Sequence, residues 1–273
     1  MRRWIFIGLA AAAIGATSRA HAADLAPAPP PAAPPAFNWA GFYLGGFAGG
    51  SLAGSSQGYS VSSAYLTANL PSLIPFVNSA GSQSLSSNGV DLGVEAGYNW
   101  KVGDAFVPGV TGDVGWGNLN GGRATSGILP IVQLPYAINQ QLSADWRGSL
   151  RLRAGVTPLD NLLVYATGGP AFGHFTYQAS YWDQLLPPFA PGNETEASSF
   201  QAIRMGWTLG TGAEWALSHN WSLTGEYRHS EYGALGGVGV LQLQQPASTA
   251  YLGHSSGAIH VDSLRLGVNY HFD

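Results

Sequence analysis

Charged side chains are scarce in this sequence, and where they occur they tend to alternate with apolar residues. Asp, Glu, Lys and Arg make up 10% of the 273 residues, against about 25% in a typical soluble domain. In the stretch Leu150-Arg151-Leu152-Arg153, charged and apolar side chains take turns along the chain. Because successive side chains of an extended strand point to opposite faces, such stretches gather their charges on one face.

Six acids and six arginines fall on this face, so the set is balanced in sign. Its members are Asp91, Glu95, Asp113, Asp145, Arg147, Arg151, Arg153, Arg204, Glu214, Glu226, Arg228 and Arg265. An unpaired buried charge is costly, so we expect these groups to form a network of ion pairs that plugs a closed interior. The alternative is a selectivity path along the charged wall of a pore.

A hydrolytic site is a second kind of chemistry to consider, at His229-Ser230-Glu231. These residue types can form a nucleophile with its base, as in an outer-membrane lipid hydrolase. In an extended strand, however, His229 and Ser230 point to opposite faces. The sequence therefore predicts the end of a strand here and no enzyme.

Metal and nucleotide sites have less support. His174, His254, His260 and His271 are spread along the chain without the spacing of metal-ligand pairs, so we expect isolated polar residues. The Gly45-Gly46 pair lacks the lysine and the strand-to-helix context of a phosphate-binding loop. We therefore expect no cofactor and no metal.

Extended strands with a period of two must position the charges. The last is the clearest, because Leu264, Leu266 and Val268 share one face while Ser263 and Arg265 share the other. The alternation recurs at about residues 90–99, 150–156, 203–215 and 221–228, and more weakly at 39–49, 104–117 and 161–177. These segments predict eight strands.

The connections between the segments alternate in length. Three tight turns lie at Lys101-Val102-Gly103, Pro158-Leu159-Asp160 and Leu217-Ser218-His219, and long connections lie at roughly 50–88, 118–141, 178–199 and 233–259. Outer-membrane barrels have short periplasmic turns and long extracellular loops, and closure leaves no unsatisfied edge in hydrocarbon. We predict an all-β fold, an eight-stranded antiparallel up-and-down transmembrane β-barrel with four long extracellular loops.

Individual residues add detail to this barrel. Trp39, Trp100 and Trp221 fall near predicted strand ends, where amphipathic rings belong at the headgroup level. Pro108 and Pro170 lie inside predicted strands, where proline deletes a hydrogen-bond donor, so we expect bulges or strand ends there.

The first residues predict export. Arg2 and Arg3 precede an apolar stretch of about 13 residues, too short to span a bilayer as a helix. Ala20-His21-Ala22 then offers the small residues of a cleavage site, so we predict a signal peptide over 1–22. Residues 23–37 read as a proline-rich periplasmic spacer favouring extended polyproline conformation, and 38–273 as the barrel.

Composition excludes two further classes. The chain has no cysteine, so disulfides do not stabilise it. Its net charge of −4 becomes −7 once Arg2, Arg3 and Arg19 are removed with the signal peptide, which excludes a nucleic-acid-binding surface.

The long loops contain apolar runs punctuated by proline. They are Leu70 to Val77, Ile128 to Pro135, Leu185 to Pro191 and Val238 to Pro246. Exposed apolar surface is a liability unless it is covered, so we expect the runs to pack together as a cap over the barrel mouth. The alternative is that they meet an extracellular partner.

Four stretches carry a resemblance to a known family. They are Ala23-Asp24-Leu25, Asn38-Trp39-Ala40-Gly41-Phe42-Tyr43-Leu44-Gly45-Gly46, Leu163-Val164-Tyr165-Ala166-Thr167-Gly168-Gly169 and Leu266-Gly267-Val268-Asn269-Tyr270-His271-Phe272. Through them the chain resembles the small outer-membrane immunogenic proteins of alphaproteobacteria, the RopB-like porin-family β-barrels.

The resemblance implies an OmpA-like eight-stranded barrel that supports the envelope, meets the cell's surroundings and has no catalytic residues. It implies that outer-membrane assembly machinery reads the final strand, whose signal here is Leu266, Val268, Tyr270 and Phe272, followed by Asp273. Expected partners are outer-membrane lipid, lipopolysaccharide and this machinery. A small passive porin, a hydrophobe-uptake channel and a lipid hydrolase remain the competing functions.

Overall fold

The computed structural model describes residues 37–62, 72–186, 190–241 and 250–272. The predicted signal peptide and residues 23–36 of the predicted spacer lie outside the described residues. In chain order the elements are β1 (Gly41–Ser56), β2 (Gly58–Val61), α1 (Leu73–Gly81), β3 (Ser84–Asn99), β4 (Phe106–Ile128), β5 (Pro135–Leu159), β6 (Leu162–Leu186), β7 (Ala190–Ala216), β8 (Trp221–Tyr232), β9 (Gly236–Leu241), β10 (Ala250–Ser255) and β11 (Ile259–His271).

Eight of the strands close into an antiparallel barrel. The order around the barrel is β1, β11, β8, β7, β6, β5, β4 and β3, and β3 pairs with β1 to complete the ring. A closed ring leaves no strand edge with unpaired backbone groups. The predicted eight-stranded up-and-down barrel is confirmed. In the described part of the chain, helical structure does not reach the length and hydropathy that a membrane span needs.

The period-two alternation decides which side chains face outward. In β11, Leu264 and Leu266 are 65% and 63% exposed, whereas Ser263 and Arg265 between and beside them are buried. Leu92 in β3 and Leu152 in β5 are likewise exposed. The barrel therefore presents an apolar outer surface and a polar inner one, the arrangement that contact with acyl chains requires.

Aromatic side chains mark both limits of the apolar surface. Trp100, Trp215 and Trp221 lie on the outer face near the short turns, which we call the turn end of the barrel. Trp116 and Trp207 lie on the outer face towards the opposite, loop end. Such girdles suit rings that are apolar in body and polar at one edge.

One side of the barrel wall is much taller than the other. Strands β4 to β7 contain 23 to 27 residues, whereas the other barrel strands contain 12 to 16. The predicted loops at 118–141 and 178–199 are therefore largely wrong, because most of these residues continue the antiparallel pairing. Continued pairing satisfies backbone donors and acceptors that a loop would leave to water.

Irregularities in the pairing do not coincide with the prolines. The register shifts lie between Trp116 and Leu119, Ala144 and Trp146, Val156 and Leu159, and Asp183 and Leu185. The expectation of bulges or strand ends at Pro108 and Pro170 is wrong, since both stay inside a strand in unchanged register. At Pro170, two residue pairs are missing from the ladder between β5 and β6, although the register is the same on both sides of the gap. Such a gap is expected where a backbone N–H is missing.

A small sheet and α1 cover the loop end. Strands β2, β10 and β9 form this three-stranded sheet, and Gln140 of the barrel wall donates a hydrogen bond from Nε2 to the carbonyl of Gly81, 2.9 Å away. The buried apolar cluster here is formed by Tyr59, Leu73, Val77, Leu129, Tyr136, Ile138, Tyr181, Leu241 and Leu252. Three of the four apolar runs thus pack together as a cap. The side chains of the third run, Leu185 to Pro191, lie outside the described residues.

Candidate functional site in the barrel interior

At its turn end the barrel interior is closed by an aromatic and aliphatic cluster. Its members are Phe37, Trp39, Val107, Leu163 and Tyr165. Trp39 is buried and donates a hydrogen bond from Nε1 to the carbonyl of Asp160 at 3.1 Å. The expectation that Trp39 sits in the outer aromatic girdle is therefore wrong, because β1 begins only at Gly41 and Trp39 packs with Phe37 in the barrel mouth.

Asp113 lies at the centre of the charged layer and accepts hydrogen bonds from three arginines. Its carboxylate is 3.1 Å from Nη2 of Arg151, 2.9 Å from Nη1 of Arg228 and 3.0 Å from Nη1 of Arg265. The Ser149 hydroxyl also donates to it. Since the Asp113 side chain has no exposed surface, these donors replace the water that a free carboxylate would need.

Two further acids extend the network on either side of Asp113. Glu226 lies 3.0 Å from Arg151 and 2.7 Å from Arg228. Asp91 lies 3.3 Å from Arg147 and 3.1 Å from Arg265. Each of these arginines except Arg147 therefore bridges two carboxylates, which links strands β3, β4, β5, β8 and β11 across the interior.

Glu214 forms a second group nearer the turn end. It pairs with Arg153 and accepts hydrogen bonds from Ser222 at 2.6 Å and Asn269 at 3.2 Å, while Nε2 of His271 lies 2.9 Å away. The Arg153 guanidinium lies 3.7 Å from the ring centre of Tyr165. Such stacking on an aromatic face stabilises a cation removed from water.

Two inward-facing charges stand apart from this network. Glu95 faces the interior between Gly45 and Asp113 of the neighbouring strands. Within the described part of the chain, neither Glu95 nor Arg204 forms an ion pair. The buried Nε atom of Arg204 has no hydrogen-bond partner.

Asp145 does not belong to the interior, which corrects the sequence prediction. Its side chain is 66% exposed and lies 2.8 Å from Nδ1 of His174 on the outer face. The register shift between Ala144 and Trp146 is the cause, because the extra residue reverses the alternation of β5 at this point. The interior therefore holds five of the six predicted acids and all six arginines.

Above the charged layer, towards the loop end, the interior is mainly apolar. The layer consists of Ala53, Leu85, Leu119, Leu142, Ala144, Ala171, Phe175, Tyr177, Ala179, Tyr232, Leu235, Ile259 and Val261. Leu142, Phe175 and Tyr177 have no measurable exposure. An eight-stranded barrel is just wide enough for side chains to fill, and here large apolar ones fill it.

Buried acids above the apolar layer were not predicted. Asp183, Glu194 and Glu196 face inward on the tall parts of β6 and β7, and Glu196 lies 3.3 Å from Nε2 of His254. The Tyr181 hydroxyl donates to Asp183. The sequence did not predict these residues because it indicated a loop at 178–199, and the side chains of an irregular loop do not alternate between an inner and an outer face.

The histidines expected to be isolated each lie beside an acid, which also corrects the sequence prediction. His174 pairs with Asp145, His254 with Glu196 and His271 with Glu214, and Nδ1 of His260 lies 3.9 Å from Glu231. The partners come from distant parts of the sequence and meet only through strand register, so spacing along the chain gave no signal.

His229 and Ser230 lie on opposite faces of β8. The Ser230 hydroxyl is buried and donates to Oγ1 of Thr208 at 2.9 Å, whereas Nδ1 of His229 lies 2.8 Å from Asp262 on the outer face. The structure therefore does not bring the two side chains together as nucleophile and base.

The four residues predicted as an assembly signal lie in the last part of β11 and at Phe272 just after it. Leu266, Val268 and Phe272 are exposed on the outer face, and the ring of Tyr270 lies 4.9 Å from that of Phe272 and 5.1 Å from that of Trp221. Their role in assembly stays a prediction, and Asp273 lies outside the described residues.

Comparison with solved structures finds other outer-membrane barrels at low identity. OprG from Pseudomonas aeruginosa is 10% identical with a TM-score of 0.40, over 85% of this chain and 97% of that one. Ail of Yersinia pestis is 12% identical with a TM-score of 0.34, over 83% of this chain and 99% of that one.

Sequence comparison finds nearer relatives. The 31 kDa outer-membrane immunogenic protein of Brucella melitensis is 29% identical over 193 residues, 71% of this chain and 70% of that protein. The protein of the same description from Brucella suis matches to the same extent. The family model of the outer membrane protein beta-barrel domain matches residues 8–272. The chain therefore belongs to the outer membrane protein beta-barrel family, and its location is the outer membrane.

Proposed function

We propose that this protein is a closed, non-conducting barrel that contributes to envelope integrity and presents its tall loop end to the surroundings. The observation that supports this function best is the filling of the interior. A layer of ion pairs around Asp113 is covered by an apolar layer in which Leu142, Phe175 and Tyr177 are fully buried.

The two layers oppose ion passage for different reasons. An ion entering the charged layer must displace arginine from carboxylate, and breaking such a buried pair costs about 3–5 kcal/mol. An ion entering the apolar layer loses most of its water without equivalent ligands, because mainly aliphatic and aromatic groups line it. A charged wall that lines an open lumen would suit a selective pore. In this barrel, however, charged side chains from opposite walls contact one another across the lumen.

The tall wall and the cap support a role at the cell surface. The relatives from Brucella are described as immunogenic, which suits a protein whose loop end is reached from outside. Ile131, between β4 and β5, is 67% exposed and has a φ of 73°, a value that β-branched residues rarely adopt. Backbone strain of this kind is found more often at functional positions. We therefore propose that this hairpin tip contacts an extracellular partner.

Outer-membrane lipid and lipopolysaccharide are the partners proposed for the outer apolar face, and the assembly machinery is the partner proposed for the end of β11. An enzymatic role is less well supported. Ser222, His271 and Glu214 do meet, but all three side chains are buried in the barrel interior and the serine hydroxyl donates to Glu214. Gly54-Ser55-Ser56-Gln57-Gly58 matches the G-x-S-x-G pattern, but Ser56 ends β1 and the chain continues into β2. A nucleophile elbow instead leads from a strand into a helix.

Conductance across a planar lipid bilayer tests this function. The detergent-folded protein is added to the bilayer, with heat-modifiable gel migration as the check that the barrel is closed and a general porin as positive control. We expect no discrete current steps. Reproducible single-channel steps that scale with the amount of folded protein would establish the small passive porin instead.

A further inference from the structure

Three metal-ligating side chains meet on the outer face of the barrel. His229 and Glu231 lie two residues apart on β8 and so share a face, and His260 of β11 is the register partner of Glu231. One ligand atom from each residue lies within 4.8 Å of those from the other two. None of the three belongs to the interior network.

We propose that His229, Glu231 and His260 bind one divalent transition-metal ion. Two imidazoles and one carboxylate match the ligand preferences of Zn²⁺, Cu²⁺ and Ni²⁺, whereas Mg²⁺ and Ca²⁺ prefer oxygen ligands alone. Three protein ligands leave at least one coordination position open. The side chains of Glu231 and His260 are 37% and 49% exposed, so an ion reaches them from outside without entering the barrel.

A neighbouring carboxylate prepares His229 for this role. Nδ1 of His229 lies 2.8 Å from Oδ1 of Asp262, and the same oxygen accepts a hydrogen bond from the Tyr227 hydroxyl at 2.7 Å. With Nδ1–H donating to the carboxylate, Nε2 keeps its lone pair for a metal. A carboxylate behind the imidazole is the usual second partner of a metal-bound histidine, and losing it typically weakens binding about 10–100-fold.

Aromatic contacts hold the imidazoles in place. The ring of His229 lies 5.5 Å from the ring of Trp207 and 6.3 Å from that of His260, and the two imidazole planes are nearly parallel at 19°. Restricting both rings lowers the entropy cost of bringing them to one ion. The three ligand atoms already lie within 4.8 Å of one another, so small rotations of the side chains bring them to the spacing of ligands around one metal ion.

The site lies beyond the apolar part of β8. Leu223 and Tyr227 precede His229 on the outer face, and β8 ends at Tyr232. The proposed ion thus sits at the polar limit of the membrane-facing surface on the loop side. Because the site lies on the outer face, metal binding there does not depend on whether the lumen conducts.

Isothermal titration of the full exported chain, folded in detergent and carrying no histidine tag, with Zn²⁺ tests the proposal. We expect saturable binding of one ion per chain, at least tenfold weaker in His260→Ala and in Glu231→Gln. His174→Ala is the matched control, since His174 is also an outer-face histidine paired with an acid, and it should bind as the native chain does. Heat-modifiable migration verifies that each variant is folded.

Electron paramagnetic resonance of bound Cu²⁺ supplies a second measurement. Coupling to two imidazole nitrogens in the native chain and to one in His260→Ala is expected. Binding that does not saturate, or that persists unchanged in the double variant His229→Ala/His260→Ala, would overturn the proposal. The cluster would then consist of ordinary histidine–acid pairs.

Discussion

Asp113 on β4 and Arg228 on β8 meet at 2.9 Å although their strands lie on opposite sides of the barrel, four strands apart in either direction. Their contact spans the full width of the interior. Arg228 also forms an ion pair with Glu226. Asp113 also forms ion pairs with Arg151 and Arg265. The network therefore ties facing walls together at the level where a pore would need open space.

Asp113→Asn should destabilise the barrel strongly. The substitution leaves Arg151, Arg228 and Arg265 sharing one fewer buried carboxylate, and breaking a buried ion pair in this way costs about 3–5 kcal/mol. Urea unfolding in detergent, followed by the loss of heat-modifiable migration, measures the change.

Asp145→Asn is the matched control for that substitution. Asp145 lies on the outer face beside His174, and an exposed pair contributes about 0–1 kcal/mol. If the two variants unfolded at the same urea concentration, the interior network would not be a determinant of stability.

Glu95 and Glu226 should differ although both face the interior as glutamates. Glu226 pairs with Arg151 and Arg228, so Glu226→Gln should lower the free energy of unfolding by about 3 kcal/mol or more. Glu95 has no ion-pair partner among the described residues, so Glu95→Gln should change it by less than about 1 kcal/mol. Equal losses in the two variants would contradict the pairing described here.

The cap should protect α1 from proteases. Val77 is fully buried in the cap cluster, and Val77→Asp places an unpaired charge there, which should open the cap. Chymotrypsin added to intact cells should then cut at Phe76 at least tenfold faster than in the native protein. Ile131→Asp, a change of the same type at an exposed apolar residue, should leave α1 protected. Rapid cleavage at Phe76 in the native protein would mean that the apolar runs do not pack.

The barrel could be predicted because hydrophobic contrast alternates along its strands. In β11, the sequence from Leu264 to Val268 changes face at every residue, and the structure places each side chain accordingly. The tall parts of β5 and β6 lack this contrast. Gln140 faces inward and Gln141 outward, so two identical side chains occupy opposite faces. The sequence therefore shows no alternation of polarity there and predicts a loop.

Other misassignments come from register, which a sequence does not display. One extra residue near Asp145 reverses the alternation and moves that carboxylate outside. The same limitation hid the cluster of His229, Glu231 and His260, since β8 and β11 are separated by β9 and β10 along the chain. Pairing of distant strands, and not local spacing, brings these ligands together.

Neighbouring side chains of each barrel strand face lipid and the filled interior in turn, and this alternation can be measured directly in β11. The chain has no native cysteine, so single spin labels can be attached at Ser263→Cys, Leu264→Cys, Leu266→Cys, Val268→Cys and Asn269→Cys and compared for collision with dissolved oxygen in lipid vesicles. We expect high oxygen accessibility at 264, 266 and 268 and low accessibility at 263 and 269, whose native side chains are buried. Accessibility without a period of two, or with its maxima at 263 and 269, would contradict a barrel with one face in lipid.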